Sequence, residues 1–217
     1  MNPHVFAGAL LFACAAIAGI VAASAICARV KGYDDGPRTG SPPIVALVAG
    51  AALMGAIAAA HGGPHADMGR LGLVALVTGA FVGAWYCDVA RGVVPDVFSL
   101  GPLGIIAVLS FVWHDPRMLI SAVVVFVPFA LAAYLSRGRG MGWGDVKLAA
   151  VAGAMLGASY ALLALALAAF AAAVGARLQR RMPETVPPSA PAVAAHPVAF
   201  APYLIGATAL FTAFAAL

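Results

Sequence analysis

Residues 138–148 read Gly-Arg-Gly-Met-Gly-Trp-Gly-Asp-Val-Lys-Leu, with a glycine at every second position from Gly138 to Gly144. Asp145 and Lys147 follow at once, and after them come about 30 residues without a charge. Alternating glycines disfavour a stable helix and allow backbone conformations that are closed to other residues. A carboxylate is costly where water meets hydrocarbon, and irregular backbone is tolerated there only when protein or a water-filled cavity covers it. The stretch therefore predicts an open polar pocket at a membrane surface with Asp145 at its centre.

The composition excludes a soluble globular protein. Of the 217 residues, 64% are hydrophobic and only 9% are charged, whereas about a quarter of the residues in soluble domains are charged. The formal net charge of +4 does not indicate a nucleic-acid partner, because the basic residues are scattered at the ends of apolar segments. That distribution is typical of polytopic membrane proteins, in which it fixes the orientation in the lipid bilayer.

Apolar runs of about 17 to 25 residues are candidate transmembrane helices, and the chain contains several in succession. The run after Lys147 is too long for one span, and Gly157-Ala158-Ser159 offers a turn within it. We therefore predict an all-α polytopic membrane protein with about eight transmembrane helices. The predicted spans are Val5–Ala28, Ile44–Ala60, Leu71–Cys87, Val97–Trp113, Met118–Leu135, a short helix ending near Leu156, Tyr160–Ala176 and Phe200–Leu217.

The lysines and arginines predict the orientation of these spans, because cytoplasmic loops carry the excess of positive charge. With alternating loops, one side has only Arg70 and Arg117. The other side is therefore predicted to be cytoplasmic. It collects ten basic residues: Arg29, Lys31, Arg38, Arg91, Arg137, Arg139, Lys147, Arg177, Arg180 and Arg181.

Two acidic residues stand apart from the carboxylates in the linkers. Asp88 ends the third predicted span and Asp145 begins the sixth, so the topology places both at the cytoplasmic boundary. Two close carboxylates can share one proton, since like charges push one pKa up and leave the other group ionised. One can then act as a base on water while the other polarises a carbonyl group. The alternative interpretation is a pair of unrelated helix-end carboxylates, one of them capping a helix.

The other candidate residues have weaker signals. Asp96 is interpreted as a turn or helix N-cap residue, and Lys147 as a partner of Asp145, a partner of lipid phosphate or a boundary anchor. Trp143 is interpreted as a pocket residue or as part of the aromatic belt of the membrane interface, and the belt is favoured. His61, His65 and Asp67 are assigned to an outer loop rather than to a metal site. The cysteines form no CxxC pair, so neither zinc nor a disulfide framework is predicted, and Cys14, Cys27 and Cys87 are interpreted as small apolar residues.

Three segments resemble one family in the order in which that family carries them. Gly142–Leu148 is similar to the GxGD-x-K-L motif of the type IV prepilin peptidases, which are membrane aspartic proteases of the GxGD class. Asp88 followed by Val94-Pro95-Asp96 resembles the family's upstream aspartate and its hydrophobic-Pro-Asp turn. Phe200–Leu204 resembles its closing motif, although Ala199 and Ala201 replace the usual proline and glycine. The resemblance covers about Leu71–Leu217.

This resemblance implies that Asp88 and Asp145 are the catalytic pair. The resemblance also implies a peptidase without the cysteine-containing methyltransferase domain, because Arg29–Pro43 is short and has no cysteine. No metal and no cofactor are expected. We expect N-terminal helices and linkers at 1–70 and the peptidase membrane domain at 71–217. The residues expected to bind substrate or line the pocket are Gly142, Trp143, Gly144, Lys147 and Pro95.

The expected partners are the lipid bilayer and a prepilin or pseudopilin precursor, whose short basic leader would be cleaved at the cytoplasmic face of a bacterial inner membrane. Two alternatives belong to other classes. A transporter would use boundary carboxylates to carry protons or ions, although both acids at one face rather than at the midplane argue against it. An inactive structural subunit of a secretion system would retain the fold without the activity.

Overall fold

The computed structural model describes residues 3–29, 43–62, 67–135, 142–181 and 201–214, and these contain α-helices and no β-strand. Five of the helices are long and apolar enough to cross a membrane: α1, α2, α3, α5 and α7. The predicted all-α polytopic membrane fold is therefore confirmed. The helices are α1 Pro3–Cys27, α2 Ile44–Gly62, α3 Met68–Arg91, α4 Leu100–Val112, α5 Arg117–Leu135, α6 Trp143–Leu156, α7 Ala158–Arg181 and α8 Ala201–Phe214, with a 3₁₀ helix at Asp96–Phe98 before α4.

The long apolar run after Lys147 is divided where the sequence predicted a turn. Helix α6 ends at Leu156 and α7 begins at Ala158. Gly157 lies between them with φ of 77°, a backbone conformation that L side chains rarely adopt and glycine adopts readily. Because α6 has 14 residues, it is only about 21 Å long at 1.5 Å per residue, shorter than the ~30 Å hydrocarbon core of a bilayer.

Helix α1 packs closely against both α2 and α3 through pairs of glycines. A Cβ atom added to Gly8 would lie 2.5 Å from the carbonyl oxygen of Gly55 on α2. A Cβ atom added to Gly19 would clash with the carbonyl oxygen of Gly79 on α3. Small residues let membrane helices approach backbone to backbone, so these glycines hold α1 against α2 and α3.

Helix α6 lies at the centre of the second half of the bundle. Val146, Leu148 and Val151 are fully buried, and α6 contacts α4, α5, α7 and α8. Gly153 faces α5, where an added Cβ would meet the side chain of Val125 at 2.9 Å. A helix that is apolar on all sides is expected to be buried. By contrast, Phe111 on α4 is 84% exposed and faces away from the protein interior, as expected of a lipid-facing side chain.

Candidate functional site

Asp88 lies in the last turn of α3, one turn before the helix ends. The sequence had placed the end of this span at Cys87, but no helix-breaking residue follows until Gly92, so the helix continues to Arg91. Gly92 takes the left-handed conformation with φ of 66° and donates its backbone N–H to the carbonyl oxygen of Asp88. This is the usual glycine termination of a helix.

Asp145 lies in the first turn of α6, three residues after the N-cap residue Gly142. Its carboxylate accepts a hydrogen bond from the backbone N–H of Gly142. An acidic residue at this position satisfies an otherwise unpaired N–H group and interacts favourably with the positive end of the helix dipole. The alternating glycines were expected to prevent a helix before Asp145, but α6 already includes Trp143 and Gly144.

The two carboxylates come from different helices and lie close enough for their charges to interact. Both aspartates are half-buried, and the Oδ2 atom of Asp88 is removed from solvent. Cys87 and Val146, the neighbours of the two aspartates in the chain, are fully buried. The fold therefore brings together the two acids that the sequence selected, at one end of the bundle and with restricted access to water.

The segment that follows α3 folds back onto α3 and α6. An added Cβ at Gly83 on α3 would lie 2.5 Å from the ring of Phe98, which is buried. An added Cβ at Gly144 on α6 would lie 3.0 Å from the Cβ of Val94. Two glycines thus allow the turn at 93–98 to pack against both helices that carry the aspartates.

An ion pair adds a third contact between this turn and α6. The Nζ atom of Lys147 donates to Oδ1 of Asp96 at 2.5 Å. The Lys147 side chain is 25% exposed, whereas that of Asp96 is 62% exposed. Of the alternatives left open for Lys147, pairing with Asp145 is not what the structure shows, because the turn at 93–98 places Asp96 within reach. Asp96 itself begins the 3₁₀ helix and is a turn residue, as expected, rather than the N-cap of α4, which is Ser99.

The other predicted pocket residues surround this arrangement. Gly142 is exposed, and Pro95 is half-buried as the N-cap of the 3₁₀ helix. Trp143 is 49% exposed, which fits the interfacial position expected for it. The glycines at 138 and 140 lie outside the described residues, as does His65.

A disulfide bond that the sequence did not predict lies beside Asp88. It joins Cys27 at the end of α1 to Cys87 on α3, with the Cα atoms 6.0 Å apart. The interpretation of these two cysteines as separate small apolar residues was wrong, since the close packing of α1 on α3 brings together positions 60 residues apart. Cys14 is free and exposed.

A cavity of about 260 Å³ lies between α2, α3 and α8. It extends along α3 from Val74 to Trp85, and Trp85 precedes Asp88 by one turn. A second cavity of about 320 Å³ lies at the opposite end of α3. Its lining includes Arg70 and Arg117, the two basic residues that the sequence assigned to the outer side.

These features define a polytopic helical membrane protein with a two-carboxylate site at one end of its bundle. The profile of the type IV leader peptidase family matches residues 74–176, a little under half of the chain. This segment belongs to that family, as the sequence motifs indicated, and it contains Asp88, Asp145 and the ion pair between Lys147 and Asp96. A search among curated proteins and a search among solved structures each found no match. The match supports a membrane-embedded peptidase, a hydrolase whose substrate is a protein.

Proposed function

We propose that the protein is an aspartic endopeptidase that uses Asp88 and Asp145 to remove the short basic leader from pilin-like precursors. The observation that carries this proposal is that two half-buried carboxylates from different helices lie close enough for their charges to interact, both within the segment that matches the leader peptidase family. The resemblance of the GxGD-x-K-L motif at 142–148 supports the aspartic mechanism.

In this mechanism the two aspartates share one proton. The ionised carboxylate takes a proton from a water molecule, and the resulting hydroxide attacks the carbonyl carbon of the scissile peptide bond. The protonated carboxyl group donates its proton to the carbonyl oxygen, and the proton taken from water then passes to the leaving amine. Because the pair titrates as one unit, we assign the two roles to the pair and not to individual residues.

The proposed site faces the cytoplasm of a bacterial cell. Asp88 and Asp145 lie at the same end of the bundle as Lys147 and Arg91, whereas Arg70 and Arg117 line the cavity at the opposite end of α3. The excess of lysine and arginine at the end that carries the two aspartates supports the cytoplasmic location of that end. A precursor with a basic leader would keep that leader on the same side, within reach of the carboxylates.

The proposal is tested with the purified full-length protein in liposomes and a pilin-like precursor as substrate. We expect the precursor to lose its leader, and mass spectrometry of the product to place the cut immediately before the hydrophobic helix. The two rival classes, a transporter and an inactive structural subunit, both predict an intact precursor. No cleavage by protein that retains its folded, helical state would therefore contradict the proposal.

The topology is tested with cysteines introduced into intact cells and a maleimide that cannot cross the membrane. Cysteine at Ser159, an exposed residue at the start of α7, is expected to react from outside. Cysteines at Thr39 and Pro188 are expected to react only after the membrane is permeabilised. The unsubstituted protein provides the background from its own cysteines. Labelling of position 188 from outside, with position 159 unreactive, would mean that α6 and α7 together cross the membrane only once.

A further inference from the structure

The apolar cavity beside the carboxylates is open along one side and contains no charged residue in its lining. The hydroxyl groups of Thr78 and Thr208 line it, but each donates to the carbonyl oxygen four residues earlier in its own helix, Val74 and Leu204 respectively. The cavity therefore presents an apolar surface. Its lining consists of Pro43, Ala46, Leu47, Gly50, Ala51, Met54, Val74, Val77, Thr78, Phe81, Val82, Trp85, Met155, Ile205, Gly206 and Thr208.

The packing of α1 explains why a groove exists here. Helix α1 contacts α2 through Gly8 and Gly55 and contacts α3 through Gly19 and Gly79. The α2 and α3 helices therefore lie on either side of α1 and separate beyond it, where α8 contacts both. Two further glycines widen the groove, because an added Cβ at Gly50 on α2 or at Gly206 on α8 would meet no atom within 4 Å.

The groove ends close to the two carboxylates. Val74 and Trp85 are eleven positions apart on α3, which corresponds to about 16 Å at 1.5 Å per residue. At the Trp85 end the groove stops one turn before Asp88. Pro43 and Ala46, at the start of α2, also line the cavity. An apolar helix that began immediately after a peptide bond held at the carboxylates would therefore run into the bilayer beside this groove.

We propose that this groove binds one face of the hydrophobic helix of the precursor, directly after the bond that is cut. This inference rests on the proposed function. A volume of about 260 Å³ accommodates a few aliphatic side chains rather than a whole helix, so the precursor helix lies against the opening and inserts a row of side chains. This is the usual way in which an amphipathic or apolar helix occupies a groove.

The proposal assigns a role to parts of the chain outside the family segment. The walls formed by α2 and α8 lie before and after residues 74–176. The carboxylates and their supporting turn come from the family segment, whereas much of the surface that selects the precursor comes from its flanks. Selection among precursors then depends on the side chains of α2 and α8.

The test fills the groove without altering the carboxylates. Gly50→Leu and Gly206→Leu each place a side chain in open space that borders the cavity. Gly104→Leu is the matched control, because an added Cβ there also meets nothing but the residue lies on α4, away from the lining. Each variant is compared with wild type on a full precursor and on a short peptide that spans the cut site and lacks the helix.

We expect the two groove variants to lower kcat/KM for the full precursor by about tenfold or more. A poor fit in an apolar pocket typically lowers kcat/KM by about this factor. Cleavage of the short peptide should be unchanged, and Gly104→Leu should match wild type on both substrates. If wild type cuts neither substrate, the proposed function itself fails. If wild type cuts both and the groove variants cut the full precursor normally, only the groove assignment is overturned.

A photo-crosslinking residue gives a second readout that does not depend on activity. Benzoylphenylalanine at position 50 is expected to form a covalent product with the first turns of the precursor helix, whereas the same residue at position 104 is not. Crosslinking at position 50 to lipid alone, or to a second copy of the protein alone, would overturn the proposal.

Discussion

Asp88→Asn and Asp145→Asn are each expected to abolish cleavage of a pilin-like precursor while the protein still inserts and folds. Asparagine keeps the shape of the side chain but can neither accept nor share the proton. Loss of general acid–base catalysis lowers rates by about 10²–10⁴-fold, and by more when two groups act as a unit. The double variant should therefore be little worse than either single variant. Gel mobility of the precursor in membranes provides the measurement.

The matched control for these variants is Asp67→Asn. Asp67 is the N-cap residue of α3, where its carboxylate accepts from the backbone N–H groups of Gly69 and Arg70. Asparagine also caps helices well, and this position lies at the end of α3 opposite to Asp88. We expect Asp67→Asn to process the precursor like wild type. Normal processing by Asp145→Asn, or by Asp88→Asn, would contradict the assignment of the catalytic pair.

The second large effect is expected from reversing the charge of Lys147. In Lys147→Glu the new carboxylate faces Asp96 and repels the turn at 93–98, which packs against the first turn of α6 through Val94 and Gly144. Because Asp145 lies in that same turn of α6, its carboxylate is expected to move relative to Asp88. A displacement of about 1 Å can lower the rate by about 10²-fold, so we predict a loss of kcat between about 10- and 100-fold.

Exchanging the two charges separates this positioning role from a simple change of charge. The double variant Lys147→Glu with Asp96→Lys restores an ion pair with the opposite polarity and is expected to recover much of the lost kcat. Arg29→Glu is the control, because it changes the same amount of charge at the same end of the bundle from an exposed position just after α1. A double variant no better than Lys147→Glu would show that the ion pair does not position the carboxylates.

The positions of the helices could be predicted because they depend on local composition. Apolar runs and the turn at Gly157 are visible in the sequence, and the break between α6 and α7 follows from them. The end of α3 was placed too early, at Cys87. The sequence of that turn contains no helix breaker before Gly92, and this was the available signal that Asp88 lies inside the helix.

The contacts that surround the two aspartates depend on packing and were not predictable to the same extent. Lys147 and Asp96 are 51 residues apart, and they meet where Gly144 allows the close approach of Val94. Their opposite charges at one predicted membrane boundary were the only sequence signal for the pair. The glycine contacts of α1 bring Cys27 to Cys87 and also create the apolar groove. No short sequence motif predicts these contacts.

The glycine contacts of α1 also indicate that the protein can be divided into two fragments that reassociate. Gly8 and Gly19 hold α1 by backbone contact with α2 and α3. None of these contacts requires α2 and α3 to be joined by a continuous chain. Separately translated pieces 1–62 and 67–217 would each insert their own helices and then associate laterally through the same glycines. Both carboxylates lie in the second piece, whereas one wall of the groove, α2, lies in the first, so cleavage of a full precursor would depend on the association of the two pieces in the bilayer.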